Sequence, residues 1–243
     1  MTETPDLSGR YALVTGASRG IGRSAAKKLA AAGAHVIALA RTQGALEELD
    51  DEIKAAGGKA SLIATDITDA AAMNQLAPAL QERFGRLDIF IANAGVLGDL
   101  CPVTDIDKKT WDSTLGVNFV ANWQLTALLD PLFRQSDAAR LVYLTTGTTT
   151  SHKPFWGAYT VSKAALEAMA LTYANEVAQT PIRVNLLNPG GTRTQMRAKA
   201  MPGEDPETLP HPDEVAELIV EMAAPSFTDN GTLINFREWR ASR

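Results

Sequence analysis

The sequence is poor in the residues that disulfide-stabilised and metal-binding proteins need. It has one cysteine, Cys101, so no intrachain disulfide can form. This cysteine content is consistent with a protein that resides in a reducing compartment. Its three histidines show neither HxH nor HExxH spacing, so we expect no metal site. No apolar run approaches the ~18–20 residues of a membrane span, and the polar amino terminus lacks a signal-peptide pattern. These absences predict a cytoplasmic protein that does not enter the membrane.

Positive charge is also scarce. The chain has 23 Lys and Arg against 28 Asp and Glu, a net charge of −5, which disfavours nucleic acid as a partner. Three arginines lie in residues 237–243, where we expect a solvated tail. Hydrophobic residues make up 45% of the 243 residues, enough for one substantial core, so we predict a single domain over 1–243.

Short apolar runs alternate with longer amphipathic stretches along the chain. Such alternation predicts an α/β fold, a doubly wound parallel sheet of the Rossmann type with helices on both faces. The proline-rich segment 195–212 interrupts the rhythm, and we predict a long loop there that acts as a substrate lid. The predicted strands are 10–15, 35–40, 59–65, 88–92, 140–145, 182–187 and 232–236; the predicted helices are 20–32, 44–56, 69–84, 107–133, 156–179 and 213–223.

A glycine-rich turn, TGASRGIG at residues 15–22, separates the first predicted strand from the first helix. Glycines permit a tight turn and close approach of a pyrophosphate, and the helix amino terminus offers free N–H groups. An ordinary glycine-rich turn is the alternative, but its position after strand one favours dinucleotide binding. The candidate binding residues are Gly16, Ser18, Arg19, Gly20, Ile21 and Gly22.

The end of the second strand bears on the choice of cofactor. NAD-binding proteins usually place an acidic residue there to accept the ribose 2′-hydroxyl. Here the strand ends in Leu-Ala-Arg-Thr, and Arg41 could meet a 2′-phosphate, with Arg19 reaching it from the glycine turn. The sequence therefore favours NADP(H) over NAD(H).

Tyr159 and Lys163 are four residues apart in a predicted helix, so both side chains lie on one face. Hydride reduction of a carbonyl requires a proton for the developing alkoxide, and Tyr159 could donate it. Lowering a tyrosine pKa of ~10 by three units costs about 4 kcal/mol. A lysine cation at ~4 Å supplies a comparable energy at an effective dielectric of about 20. We therefore expect Lys163 to lower the pKa of Tyr159.

With these motifs the sequence resembles the short-chain dehydrogenase/reductase family in its conventional form, from residue 9 to residue 236. The resemblance implies that TGxxxGxG binds the cofactor, that Tyr159 is the proton donor and that Lys163 also holds the nicotinamide ribose. It implies that Asn118 supports a water-linked proton path to Lys163. Further cofactor contacts that it implies are the adenine-binding Asp66, then Asn93, Ala94 and Gly95 of the NNAG motif, and Pro189, Gly190 and Thr192 or Thr194 near the carboxamide.

The sequence departs from the family pattern in three places. Ala92 replaces the first Asn of NNAG. Thr146 stands thirteen residues before Tyr159, where the family usually has the serine that polarises the substrate carbonyl, with Thr145 and Thr148 as alternatives if the register shifts. The usual Val-Asp-Gly-Gly ending is also missing. Segments 97–102, 156–159 and 188–194 resemble more specifically the YciK-type subgroup.

The two longest predicted helices carry more apolar surface than packing against one face of a small sheet would bury. On the second of them the residues that carry it are Leu166, Met169, Ala170 and Tyr173, whereas Trp123 on the first is expected to serve packing rather than contact with a substrate. The resemblance implies that these helices form an interface, so we expect a homo-oligomer, either a dimer or a tetramer.

The sequence therefore predicts an NADP-dependent oxidoreductase that exchanges a hydride with a small carbonyl or alcohol substrate. In this hypothesis Thr146 holds the oxygen while Tyr159 supplies the proton. One alternative is an inactive NADP(H)-binding sensor or scaffold, which the threonine at position 146 favours. A methyltransferase is a third possibility, but it would have no use for the Tyr159–Lys163 pair.

Overall fold

The computed structural model describes residues 5–243 and contains a parallel seven-stranded sheet with the order β3-β2-β1-β4-β5-β6-β7. The order reverses between β1 and β4, as in a doubly wound fold, and ligands bind at this point in such folds. The predicted Rossmann fold is therefore confirmed. The strands are β1 Tyr11–Thr15, β2 His35–Ala40, β3 Lys59–Ala64, β4 Ile89–Ala92, β5 Arg140–Leu144, β6 Arg183–Asn188 and β7 Leu233–Asn235.

Helices cover both faces of the sheet. Alternation along the strands divides the core, since Ala12 and Val14 of β1 join one buried cluster whereas Leu13 joins the other. No helix within residues 5–243 combines the length and apolarity needed to cross a bilayer. The helices are α1 Gly20–Ala31, α2 Gln43–Ala55, α3 Ala70–Phe84, α4 Lys108–Leu115, α5 Ala121–Phe133, α6 Thr148–Ser151, α7 Gly157–Glu176, α8 Gln195–Ala200, α9 Pro212–Ala223 and α10 Phe236–Ala241.

The predicted continuous helix over 107–133 is interrupted. A π-helical turn, Gly116–Val120, joins α4 to α5 and contains Asn118. The Asn122 amide, one turn later, donates to the carbonyls of Val117 at 3.2 Å and Asn118 at 3.0 Å. Since π-turns within helices often occur at functional sites, this turn supports a functional role for Asn118.

Two predicted irregular segments contain helices. Residues 195–212 are not a plain loop, because α8 lies at their start and Arg197 and Glu204 form a two-pronged ion pair across them. Nor are residues 237–243 a solvated tail. Phe236, at the start of α10, is buried, and Arg240 pairs with Glu214 of α9 at 2.9 Å. Packing against α9 therefore orders the carboxyl terminus.

Candidate active site

A cleft of about 1430 Å³ opens along the carboxyl ends of the strands. Gly22 and Asn118 are not on its surface, although both lie directly behind residues that are. The other candidate residues line it together: Gly16, Ser18, Arg19, Gly20, Ile21, Arg41, Asp66, Asn93, Ala94, Gly95, Thr146, Tyr159, Lys163, Pro189, Gly190, Thr192 and Thr194.

The glycine turn leaves the start of α1 open to the cleft. Gly16 and Gly20 have φ values of 67° and 55°, a conformation that favours glycine. No side chain among residues 5–243 caps α1, and its first turn has no acidic residue. The free N–H groups and the positive end of the helix dipole therefore suit phosphate groups.

Asn93 supports this turn from the end of β4. Its Nδ2 donates to the Thr15 carbonyl at 2.9 Å, and its backbone N–H donates to the Thr15 hydroxyl at 3.0 Å. A Cβ on Gly22 would collide with Asn93 Nδ2 and with the Gly16 carbonyl oxygen. Gly22 thus allows a close approach between α1 and the loop after β4, rather than contact with a ligand.

Several cations lie at the far end of the cleft. Arg41 Nη1 lies 3.6 Å from an Asp66 carboxylate oxygen. Partial burial raises the pKa of Asp66, but hydrogen bonds from Thr68 and the nearby Arg41 outweigh this effect and hold it below its usual value. Arg23 and Lys27, which were not predicted from the sequence, also line the cleft and both pair with Glu52. Their four-residue spacing on α1 was the available signal.

Tyr159 and Lys163 both face the cleft near the start of α7. The buried Lys163 ammonium donates to the Leu144 carbonyl at 2.7 Å. Burial lowers the pKa of Lys163 to about 8, although Glu167 acts in the opposite direction. Burial raises the pKa of Tyr159 to about 12, although a hydrogen bond with Thr146 acts to lower it. The expected lowering of the tyrosine pKa is therefore wrong for this structure, because desolvation dominates and Lys163 points at a carbonyl.

Asn118 joins the loop after β4 to α7. Its Oδ1 accepts from the Val96 N–H at 2.8 Å, and its Nδ2 donates to the Val96 carbonyl and to Ser162 Oγ, both at 2.9 Å. A Cβ on Gly95 would lie 3.3 Å from Asn118 Oδ1 and 3.8 Å from Lys163 Nζ. Asn118 is thus a neighbour of the lysine, and its part in a proton path stays a prediction.

The turn after β5 carries Thr146. The hydroxyls of Thr145 and Thr149, on either side, donate to the same Glu167 oxygen at 2.5 and 3.0 Å. Thr145 is therefore engaged elsewhere, whereas the Thr146 hydroxyl forms a hydrogen bond with Tyr159. Thr148, the other alternative, also lines the cleft, and its buried hydroxyl has no hydrogen-bond partner among the described residues. Glu167 was not predicted from the sequence, although it continues the four-residue spacing of Tyr159 and Lys163.

Apolar side chains form the wall beside Tyr159. Leu97, Trp156 and Ala200 are buried together, and Met196 and Met201 of the 195–212 segment pack against them. The Trp156 ring meets Tyr159 edge to face, with ring centroids 5.8 Å apart. Trp156 also forms an isolated strand bridge with the partly exposed Cys101. The wall can accommodate an apolar group next to the tyrosine.

The segment after β6 closes the other side of the cleft. Thr192 is buried and its hydroxyl donates to the Pro189 carbonyl at 3.2 Å. Thr194 caps α8 by accepting from the Arg197 N–H at 3.2 Å. Its methyl group would lie 3.4 Å from a Cβ on Gly20. The segment therefore packs against the glycine turn.

Comparison with known proteins identifies the family. The family model for short chain dehydrogenase matches residues 10–205. The uncharacterized oxidoreductase YciK of Escherichia coli (strain K12) is 40% identical over 215 residues, which is 87% of this chain and 85% of that protein. An uncharacterized NAD-dependent oxidoreductase of Mycobacterium tuberculosis (strain CDC 1551 / Oshkosh) is 34% identical over 250 residues, covering 89% of this chain and 90% of that protein.

Solved structures agree with this match. The structure of the oxidoreductase YciK from Escherichia coli has a TM-score of 0.93 and 36% identity, and the match covers 98% of both chains. A short chain dehydrogenase of Shigella flexneri 2a str. 301, complexed with NADP, has a TM-score of 0.92 and 36% identity over 97% of this chain and all (100%) of that one. The resemblance to the YciK-type subgroup is confirmed.

Proposed function

This chain belongs to the short chain dehydrogenase family, and we propose that it exchanges a hydride between NADP(H) and a carbonyl or alcohol substrate. One observation carries the proposal: Thr146, Tyr159 and Lys163 line the same cleft as the glycine turn. A proton donor and a dinucleotide-binding turn within one cleft are what hydride transfer to a carbonyl requires.

The residues present fit a dinucleotide. Gly16 and Gly20 bring the backbone to the cleft wall, and the uncapped start of α1 would hold the pyrophosphate. Asp66 would contact the adenine end, whereas Asn93, Ala94 and Gly95, together with the segment after β6, would surround the nicotinamide end. When bound, the nicotinamide supplies or accepts the hydride.

The protein residues would move and hold the proton. With a pKa of about 12, Tyr159 is protonated near neutral pH, so it can donate to a substrate oxygen as negative charge develops there. The Thr146 hydroxyl would hold that oxygen, and Lys163 would supply positive charge beside the tyrosine. A protonated donor favours the reductive direction, because oxidation would first require the tyrosinate.

Preference for NADP(H) rests on charge at the far end of the cleft. Arg41 and Arg19 both line the cleft, with Arg19 donating to Gln195 Oε1 at 3.1 Å, and either guanidinium would meet the ribose 2′-phosphate. The second strand ends without an acidic residue. The Shigella relative is complexed with NADP, whereas the Mycobacterium relative is named NAD-dependent. We favour NADP(H) because a guanidinium that meets a phosphate forms charge-assisted hydrogen bonds.

The substrate would carry an apolar group beside its carbonyl. Leu97, Trp156 and Met196 present apolar atoms next to Tyr159. Met196 and Met201 belong to the 195–212 segment, so this segment would act as the lid and complete the apolar wall when it closes. Methionine side chains adapt to different apolar shapes, which fits a pocket that admits a range of such groups.

A homo-oligomer would cover apolar surface on α5 and α7. Leu166 and Ala170, which the sequence analysis assigned to an interface, are instead buried in the core of the monomer. On the π-turn, α5 and α7 the exposed large apolar side chains are Val120, Trp123 and Val161, and Trp123 is 52% exposed. Sedimentation of the wild type and of Trp123→Glu tests this part, with loss of the oligomer expected in the variant.

Hydride transfer can be tested with a panel of ketones, aldehydes and alcohols in the presence of both cofactors. We expect Tyr159→Phe to bind NADPH almost as tightly as the wild type and to lose turnover by about 100-fold or more. Tyr11→Phe, away from the cleft, is the matched control and should keep wild-type turnover. Retained turnover in Tyr159→Phe contradicts the assignment. NADPH binding by the wild type without turnover of any substrate supports the sensor or scaffold alternative.

A further inference from the structure

Three polar side chains stand at successive turns of α7. Tyr159, Lys163 and Glu167 are four residues apart, so they form one row along the helix. The first two line the cleft, whereas Glu167 is half-buried behind them and is absent from the residues that line it. Glu167 therefore lies outside the surface that the cleft offers to a cofactor or substrate.

Glu167 binds the threonine hydroxyls on both sides of Thr146 in the chain. Its Oε1 accepts from Thr145 Oγ1 at 2.5 Å and from Thr149 Oγ1 at 3.0 Å. The Thr145 N–H is in turn bonded to Leu187 of β6 at 2.8 Å, which ties that end of the turn to the sheet. Thr149 Oγ1 also lies 2.9 Å from the Thr146 carbonyl, so its one hydrogen is shared between two acceptors. The carboxylate therefore restrains the short turn from which the Thr146 hydroxyl faces the cleft.

Glu167 also acts on the charge of Lys163. From other elements, the Leu144 carbonyl of β5 accepts the hydrogen bond of the buried ammonium, and Asn118 Oδ1 of the π-turn lies on the same side of Gly95 as Lys163 Nζ; neither group is charged. On α7 itself, Tyr159 is neutral near pH 7, whereas Glu167 is the carboxylate that raises the pKa of Lys163 against burial. A buried ammonium without an opposite charge nearby tends to lose its proton.

We propose that Glu167 is a positioning residue for the hydride-transfer site: it fixes the turn that presents Thr146 and places an acidic group one helical turn from Lys163. This inference rests on the proposed function. The two effects can be separated, because a glutamine at this position keeps an oxygen for the threonine hydroxyls but carries no charge.

The charge effect can be measured without turnover. In protein labelled with ¹³C at lysine Cε, the Lys163 signal is identified by its loss in Lys163→Arg, and its titration is followed by NMR. We expect Glu167→Gln to lower the midpoint of the Lys163 titration by about one pH unit, because an opposite charge that favours the ammonium is removed. Glu176→Gln, an exposed change on the same helix, should leave the midpoint unchanged. An unchanged midpoint in Glu167→Gln overturns the proposal.

Kinetics test the effect on the turn. For Glu167→Gln we expect near wild-type kcat at pH 6.5, together with a decline of kcat/KM at high pH that begins about one unit earlier. Glu167→Ala should lower kcat by about 10- to 100-fold with little change in the affinity for NADPH, because a loosened Thr146 misplaces the substrate oxygen. Thr149→Val should lower kcat in the wild type, but hardly at all in Glu167→Ala.

The outcomes distinguish the two proposals. Wild-type kcat in Glu167→Ala overturns the positioning role even if the enzyme is active. If the wild type turns over no carbonyl or alcohol, the proposed function fails, while the NMR titration still decides whether Glu167 controls the charge of Lys163. Thermal unfolding of each variant separates a local effect from loss of the fold.

Discussion

Replacing Arg41 with Gln removes the guanidinium that we assign to the ribose 2′-phosphate and leaves a shorter, neutral polar side chain. Charge-assisted hydrogen bonds contribute about 1.5–3 kcal/mol each. The Arg41 side chain is 65% exposed and lies 3.6 Å from Asp66, so solvent and that carboxylate both weaken its pull on a phosphate. The lower part of that range, about 1.5–2 kcal/mol, therefore applies, and it corresponds to a loss of about 10- to 30-fold in affinity.

The assay compares two cofactors that differ only in this phosphate. The dissociation constants for NADPH and NADH can be measured by calorimetry or by nicotinamide fluorescence. The Arg41→Gln substitution should change the two constants by different factors. We expect NADPH binding to weaken by the amount above, whereas NADH binding changes less than about threefold, since NADH offers no phosphate to this side chain. The NADPH effect should shrink at high salt because the interaction is exposed.

Two further variants sharpen the result. Arg41→Lys keeps the charge but loses the two-pronged hydrogen bonding, so it should give an intermediate loss of NADPH affinity. Arg134→Gln removes an exposed arginine that pairs with Asp130, and it should change neither dissociation constant. Equal weakening of NADPH and NADH in Arg41→Gln would refute the reasoning, as would unchanged binding of both.

Two predictions concern stability and the glycine turn. Arg140 is 5% exposed and donates to the backbone carbonyls of four residues in the segments 139, 181 and 224–225. Arg140→Met should therefore lower the free energy of unfolding by about 2–4 kcal/mol in urea titrations. The exposed Arg134→Met should lower it by less than about 1 kcal/mol, and equal effects would contradict the assignment. Gly22→Ala should cost about 1–3 kcal/mol and weaken NADPH binding, because its Cβ would collide with Asn93. Gly44→Ala, where a Cβ meets open space, should be neutral or slightly stabilising in the same assays, and a loss as large as that of Gly22→Ala would argue against the collision.

Local patterns in the sequence were sufficient to predict the fold. Strand and helix periods, the glycine turn and the breaks between elements depend on residues a few positions apart, which is why the sheet and its covering helices were predictable. The same reasoning failed at residues 237–243. The helix there depends on packing against α9, where Glu221 and Glu214, the partners of Trp239 and Arg240, lie 18 and 26 positions earlier in the chain.

The chemistry of the site was only partly predictable. The four-residue spacing of Tyr159 and Lys163 put both side chains on one helical face, and the cleft contains both. The predicted direction of the Tyr159 pKa shift was wrong, because the shift depends on burial against Leu97, Trp156 and Ala200 and on the direction in which the lysine points. Glu167 was missed because its hydroxyl partners lie 18 and 22 residues away in another element.

The sequence by itself determined the succession of strands and helices and the residue types available for binding and proton transfer, since both follow from neighbours along the chain. Only the tertiary structure decided which of those groups lose water, which pair with one another and which stay exposed. Desolvation and charge pairing depend on atoms that folding brings together from distant segments, and they set the protonation of Tyr159 and Lys163.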